Sequence, residues 1–86
     1  MNISQEQFIT ILGEEESRFF EKESLNEDTQ EDMIFTISRK TVEIETLIEN
    51  AKNIDEIKAE IFLFIDEVYS ENKFVYNMLY NENTKS

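Results

Sequence analysis

The chain has 86 residues, 40% of them apolar, with twenty Asp and Glu against eight Lys and Arg and a formal net charge of −12. That length holds one domain with a marginal core of its own, and the lack of cysteine and histidine excludes disulfides, thiolate metal sites and imidazole base catalysis. The charge repels nucleic acids and anionic membranes, while seven Phe and three Tyr are too much apolar surface for a disordered chain.

With no proline and a single glycine, Gly13, the chain lacks the punctuation that a β-rich domain needs at its turns, so helices are expected throughout. In "ISQEQF", Ser4 is a candidate N-cap with Gln7 three residues on, and Ile3 and Phe8 fall where a hydrophobic staple needs them. The first predicted helix runs to about Lys22. Its inward stripe is Phe8, Ile9 or Leu12, Phe19 and Phe20, with a kink or early break expected where Glu14, Glu15 and Glu16 follow Gly13.

"ESLNED" reads as a polar connector, and Asp28 or Thr29 as the cap of a second helix with Glu31 and Asp32 in its first turn, where the helix dipole favours negative charge. Ile34, Ile37, Thr41, Ile44, Ile48 and Ala51 step by three and four, which predicts one helix to about Lys52. The alternative is an α+β fold with a hairpin at about 33–48, because "IFTIS" and "TVEIETL" also alternate with period two. Arg39 and Lys40 between them are poor chemistry for a tight turn.

Asn53 is the expected cap of a third helix carrying the seam Ile54, Ile57, Ile61, Phe64, Val68, Val75 and Met78. Phe62, Ile65, Tyr69, Tyr76 and Tyr80 form a second apolar edge, so "IFLFI" is apolar all round and is expected to be buried all round. Unbroken to Tyr80, this helix spans about 40 Å. It must bend near "SENK" or outrun its own domain and pack on another chain. The expectation is a small all-α domain over 1–86, a three-helix bundle or a helical hairpin plus N-terminal helix, dimeric, with residues 81–86 frayed.

The motifs for bond chemistry are missing. Magnesium-binding helical sites use Glu-x-x-Glu and Glu-x-x-Asp pairs, which put two carboxylates on one face, and neither spacing occurs. "NEDTQED" lacks the glycine and the twelfth-position glutamate of a calcium loop. A nucleophilic triad, a phosphate-binding glycine loop and a serine elbow are all absent. No enzyme activity, metal or cofactor is expected. "MNISQEQF" has no secretory character and no apolar run nears membrane length, so a cytoplasmic location is expected.

Residues 14–32 hold nine carboxylates and two bases. Such a stretch either solubilises a small apolar bundle or forms an anionic face, through Glu14, Glu15, Glu16, Glu27, Asp28, Glu31 and Asp32, that imitates a nucleic-acid backbone and occludes a basic surface on another protein. Phe62, Tyr69, Phe74, Tyr76 and Tyr80 are a candidate apolar interface, since aromatic residues with polar tips anchor interfaces. In bulk character, being small, strongly acidic and without catalytic side chains, the chain resembles the inhibitors carried by phages and other mobile elements. That resemblance implies a protein-binding regulator of a nucleic-acid-processing or defence protein. The alternative is a structural oligomerisation or adaptor module whose acids only solvate it.

Overall fold

The computed structural model describes residues 1–82, which form four α-helices and no strand: α1 (Gln5–Glu23), α2 (Glu27–Ser38), α3 (Thr41–Asn50) and α4 (Ile54–Tyr80). The hairpin alternative over 33–48 is therefore overturned, since those residues lie in α2 and α3 apart from the joint between them.

α1 starts as its sequence prescribes. Ser4 Oγ accepts from the Gln7 N–H and Gln7 Oε1 accepts from the Ser4 N–H, both at 3.0 Å, closing a capping box. Ile3 and Phe8 both pack against the core as the staple requires. The expected break at Gly13 does not occur, and α1 is continuous to Glu23. The inward stripe is Ile11, Glu15 and Phe19, one helical turn apart, rather than one through Ile9, which is exposed.

α1 ends on a left-handed residue, Ser24 (φ 52°), with Leu25 N–H donating to Phe20 O and Ser24 N–H to Glu21 O. These are the paired bonds of a Schellman motif, and its apolar residue beyond the turn, Leu25, is buried in the core together with Phe20. Asn26 then caps α2, its side chain accepting from Thr29 N–H at 2.9 Å, so the helix starts two residues before the expected cap at Asp28 or Thr29.

The long second helix expected from the Ile34 to Ala51 spacing is two helices joined at Arg39 and Lys40. Ser38 Oγ donates back to Phe35 O at 2.6 Å, a local bond that bends helices, and the β-branched Ile37, Thr41 and Val42 hold the ladder there only weakly. α3 resumes from Lys40 without a side-chain cap.

α4 is capped by Asn53, which accepts from Glu56 N–H at 2.9 Å, and runs 27 residues without a break. At 1.5 Å per residue that is about 40 Å, the length of the whole molecule, whose longest extent is 39 Å. The helix neither bends nor outruns its domain, because α1, α2 and α3 all pack against it. α1 lies parallel to α4, with Ile11 and Glu14 beside Ile54 and Lys58, and Phe19 against Phe62 and Tyr69. α2 and α3 return in the opposite direction, with Asp32 bonded to Tyr80 at the far end of α4. The result is a three-stemmed bundle whose middle stem is jointed.

Its core is Ile11, Phe19, Phe20, Leu25, Met33, Ile37, Ile44, Ile48, Ala51, Ile57, Ile61, Ile65, Val68, Tyr69 and Tyr76. Phe19 sits edge-on to Phe62 and Tyr69, each at 5.6 Å, and Tyr69, Tyr76 and Tyr80 continue as a stacked series. Met33 replaces Ile34 on the inward face of α2, and Leu63 of "IFLFI" is exposed. Along α4 the core stripe drifts from Ile57 and Ile61 to Tyr69 and Tyr76, which leaves Val75 and Met78 of the expected seam outside. Thr29 Oγ1 and Tyr76 Oη are buried without a hydrogen-bond partner among the described residues. Thr36 approaches the Tyr76 hydroxyl without reaching bonding geometry.

Both ends of the described part, Met1 and Glu82, are tied to this frame. The Met1 ammonium donates to Ile48 O and Glu49 O at 3.0 and 2.9 Å, in the last turn of α3. Of the segment expected to fray, Asn81 is exposed and Glu82 is buried, accepting from the Asn26 N–H. Residues 83–86 lie outside the described part.

Candidate functional site

The seven acids singled out in the sequence separate into two groups. Glu14, Glu15 and Glu16 lie midway along α1, and the helical period turns each to a different environment. Glu15 shares the inward face with Ile11 and Phe19 and is buried. Arg18, one turn on, makes that burial tolerable: its Nη2 and Nε donate to Glu15 Oε1 at 2.7 and 3.0 Å. The Arg18 guanidinium also lies 4.1 Å from the centre of the Phe62 ring, a cation–π contact. Glu16 is half-buried with no such partner among the described residues, and burial pushes its carboxyl up to about 7. Only Glu14 stands fully in solvent, in a shallow groove beside Glu6, Ile54 and Lys58.

The second group is the start of α2. Glu27, Asp28 and Glu31 are exposed there, and the first-turn position of Glu27 and Asp28 suits those two to the helix dipole. Asp32 is half-buried and accepts from the Tyr80 hydroxyl at 2.7 Å, a bond that raises the Tyr80 pKa. The two groups do not form one face. Glu15 is turned into the core, and α1 and α2 each pack on α4 and not closely on each other.

The five aromatic residues also divide. Tyr69 and Tyr76 are buried within this chain's own core, and Phe62 and Tyr80 are half-buried against it. Phe74 alone is open, 75% exposed. Around it on α4, Val75, Met78 and Leu79 are also exposed, and Leu63 stands on the same outward line three turns earlier. Asp66, Glu67 and Glu71 lie between them. Spacing alone could have found this outward stripe. Leu63, Glu67, Ser70, Phe74 and Met78 recur at three and four residues, opposite Ile57, Ile61 and Ile65. The apolar run through Phe62 to Ile65 masked it by suggesting burial on every side.

Among the described residues no three Asp or Glu side chains are placed to hold a metal ion, and no helix is long and apolar enough to cross a membrane. No protein-family profile, curated protein or solved structure matches the chain.

Proposed function

We propose that the protein is a non-enzymatic, stoichiometric regulator that binds another protein through an anionic surface and occludes a basic one, as a nucleic-acid mimic does. The observation that carries this reading is the set of three solvent-exposed carboxylates, Glu27, Asp28 and Glu31, in the first turns of α2, on a chain of net charge −12. Carboxylates three or four residues apart on a helix lie about 5 to 6 Å from one another, a spacing that lysines and arginines arranged for phosphates can meet. Like charge so concentrated costs stability, which a binding role would repay. The partner is a basic, nucleic-acid-handling or defence protein, and the setting is the cytoplasm.

The test is capture of partners from the native host on the immobilised chain at low and high salt. The reading expects a basic protein that is retained at low salt, is lost at high salt, and fails to bind the variant Glu27→Gln/Asp28→Asn/Glu31→Gln. Salt-insensitive capture, or capture unchanged by that variant, would count against it. A structural oligomerisation module is the second reading, favoured by the exposed Phe74, Val75, Met78 and Leu79. It expects a stable oligomer in sedimentation that the same neutralisation leaves intact.

A further inference from the structure

Among the described residues, the outward face of α4 carries a long apolar surface that does not enter the core. Phe74, Val75, Met78 and Leu79 are 75, 46, 67 and 62% exposed. Phe74 with Met78, Val75 with Met78 and Val75 with Leu79 are three or four residues apart and so neighbours on the helix surface. Leu63 extends the line toward the middle of the helix, giving a face about 24 Å long from 63 to 79. Its polar members are acidic: Asp66, Glu67 and Glu71 are exposed along it. The two lysines of α4 turn elsewhere, Lys58 into the groove beside α1 and Lys73 over the Tyr69 ring.

We infer that this face docks an amphipathic helix of a partner protein, with apolar residues seated on Phe74 and Met78 and Lys or Arg residues opposite Glu67 and Glu71. The assignment rests on the regulator reading above and gives it a specific contact.

Charge and area both argue against a second copy of this chain as the occupant. Pairing two α4 faces in parallel sets Asp66, Glu67 and Glu71 against the same acids, and antiparallel pairing sets Glu71 against Glu71 and brings no base opposite Glu67, which meets Val75; unpaired like charges at an interface suppress such pairing. An overlap restricted to the apolar end buries only the four exposed side chains. At these exposures, and at about 200 Å² for a whole large side chain, they amount to roughly 500 Å². A stable interface needs about 800 Å² from each partner. A helix bearing bases on one flank and leucine-like residues on the other removes both obstacles, and helix-on-helix docking of this kind is read by anchors at three- and four-residue steps.

The probe is a synthetic Leu/Lys peptide patterned as an amphipathic helix as long as the 63–79 face, titrated against the full chain at low salt and followed by calorimetry. Its Glu-for-Lys counterpart serves as the control peptide. The expected result is saturable one-to-one binding of the Lys peptide only, weakened about tenfold or more by Phe74→Ser/Met78→Ser. Val42→Ser, an equally exposed apolar site on α3, should leave it unchanged. All three positions are exposed, and circular dichroism verifies that each variant keeps its helices.

If Phe74→Ser/Met78→Ser has no effect while Glu27→Gln/Asp28→Asn/Glu31→Gln abolishes binding, the docking face is refuted and the regulator reading stands. If the Lys peptide does not bind at all, or its Glu counterpart binds equally, both are refuted. A self-association of the unbound chain that Phe74→Ser/Met78→Ser disperses would reassign the face to a second copy and overturn the inference.

Discussion

Three consecutive glutamates on α1 have three different fates, and the helical period assigns them. Glu15 is carried inward between Ile11 and Phe19 and has Arg18 as its ionic partner. Glu16 is half-covered and, among the described residues, unpaired, and burial pushes its carboxyl up from 4.5 to about 7. The raised value means that the folded chain holds this proton more tightly than the unfolded chain does. The associated stability is full below pH 4.5, is lost as pH rises from about 4.5 to 7, and stays lost above that. Glu16→Gln removes the burial cost of the charged form. Urea unfolding at pH 8 should show the variant more stable, by about 1 to 2 kcal/mol once solvent screening of this partly exposed carboxyl is allowed for, with the difference vanishing near pH 4. A gain equal at both pH values would mean that the carboxylate is not what costs stability.

At the scale of the element, three of the four helix starts have a local chemical reason. Ser4 with Gln7, Asn26 with Thr29, and Asn53 with Glu56 close the starts of α1, α2 and α4. Two of these were legible from cap spacing, whereas Asn26 was hidden by the equally plausible caps at Asp28 and Thr29. The end of α1, expected at about Lys22, falls at Glu23, but how it stops was not legible: its left-handed residue is Ser24, where a glycine is the usual signal. Gly13 shows the converse. A β-carbon there would meet nothing within 4 Å, and the helix continues through it, so only its backbone freedom is at stake. Gly13→Ala should raise stability by about 0.5 to 1 kcal/mol, a gain of roughly 4 to 8 °C per kcal/mol in melting temperature for a domain of this size. A fall in melting temperature would show that the glycine serves a contact.

At the scale of the molecule, α4 is a spine that the other three helices share, and the far end is closed by one residue. Asn26 caps α2 through its side-chain oxygen, donates from its side-chain nitrogen to Tyr80 O at 2.9 Å, and offers its backbone N–H to Glu82. Asn26→Ala deletes the first two contacts together. It should cost about 1 to 2 kcal/mol in denaturant unfolding and speed hydrogen exchange at the last turn of α4 more than at its start. Uniform acceleration along α4 would argue that the closure is not local. The acids of 14–32, contiguous in sequence, are divided by this architecture between α1 and α2, which both pack on α4 and run in opposite directions, and Glu15 is turned into the core.

The sequence by itself determined the helical class, the caps at Ser4 and Asn53, the extent of α4 and the strength of the negative charge. These follow from residue type and from interactions spanning three or four positions, which any stretch of chain carries with it. The tertiary structure decided which side of each helix faces inward when two apolar edges compete, as in α4, and where the jointed α2 and α3 lie across it. It also decided that Glu15 is buried, Glu31 is free and Phe74 is uncovered. Those outcomes depend on which neighbouring helix arrives at which height along α4, and burial is a property of the packed set of helices that no single amphipathic pattern contains.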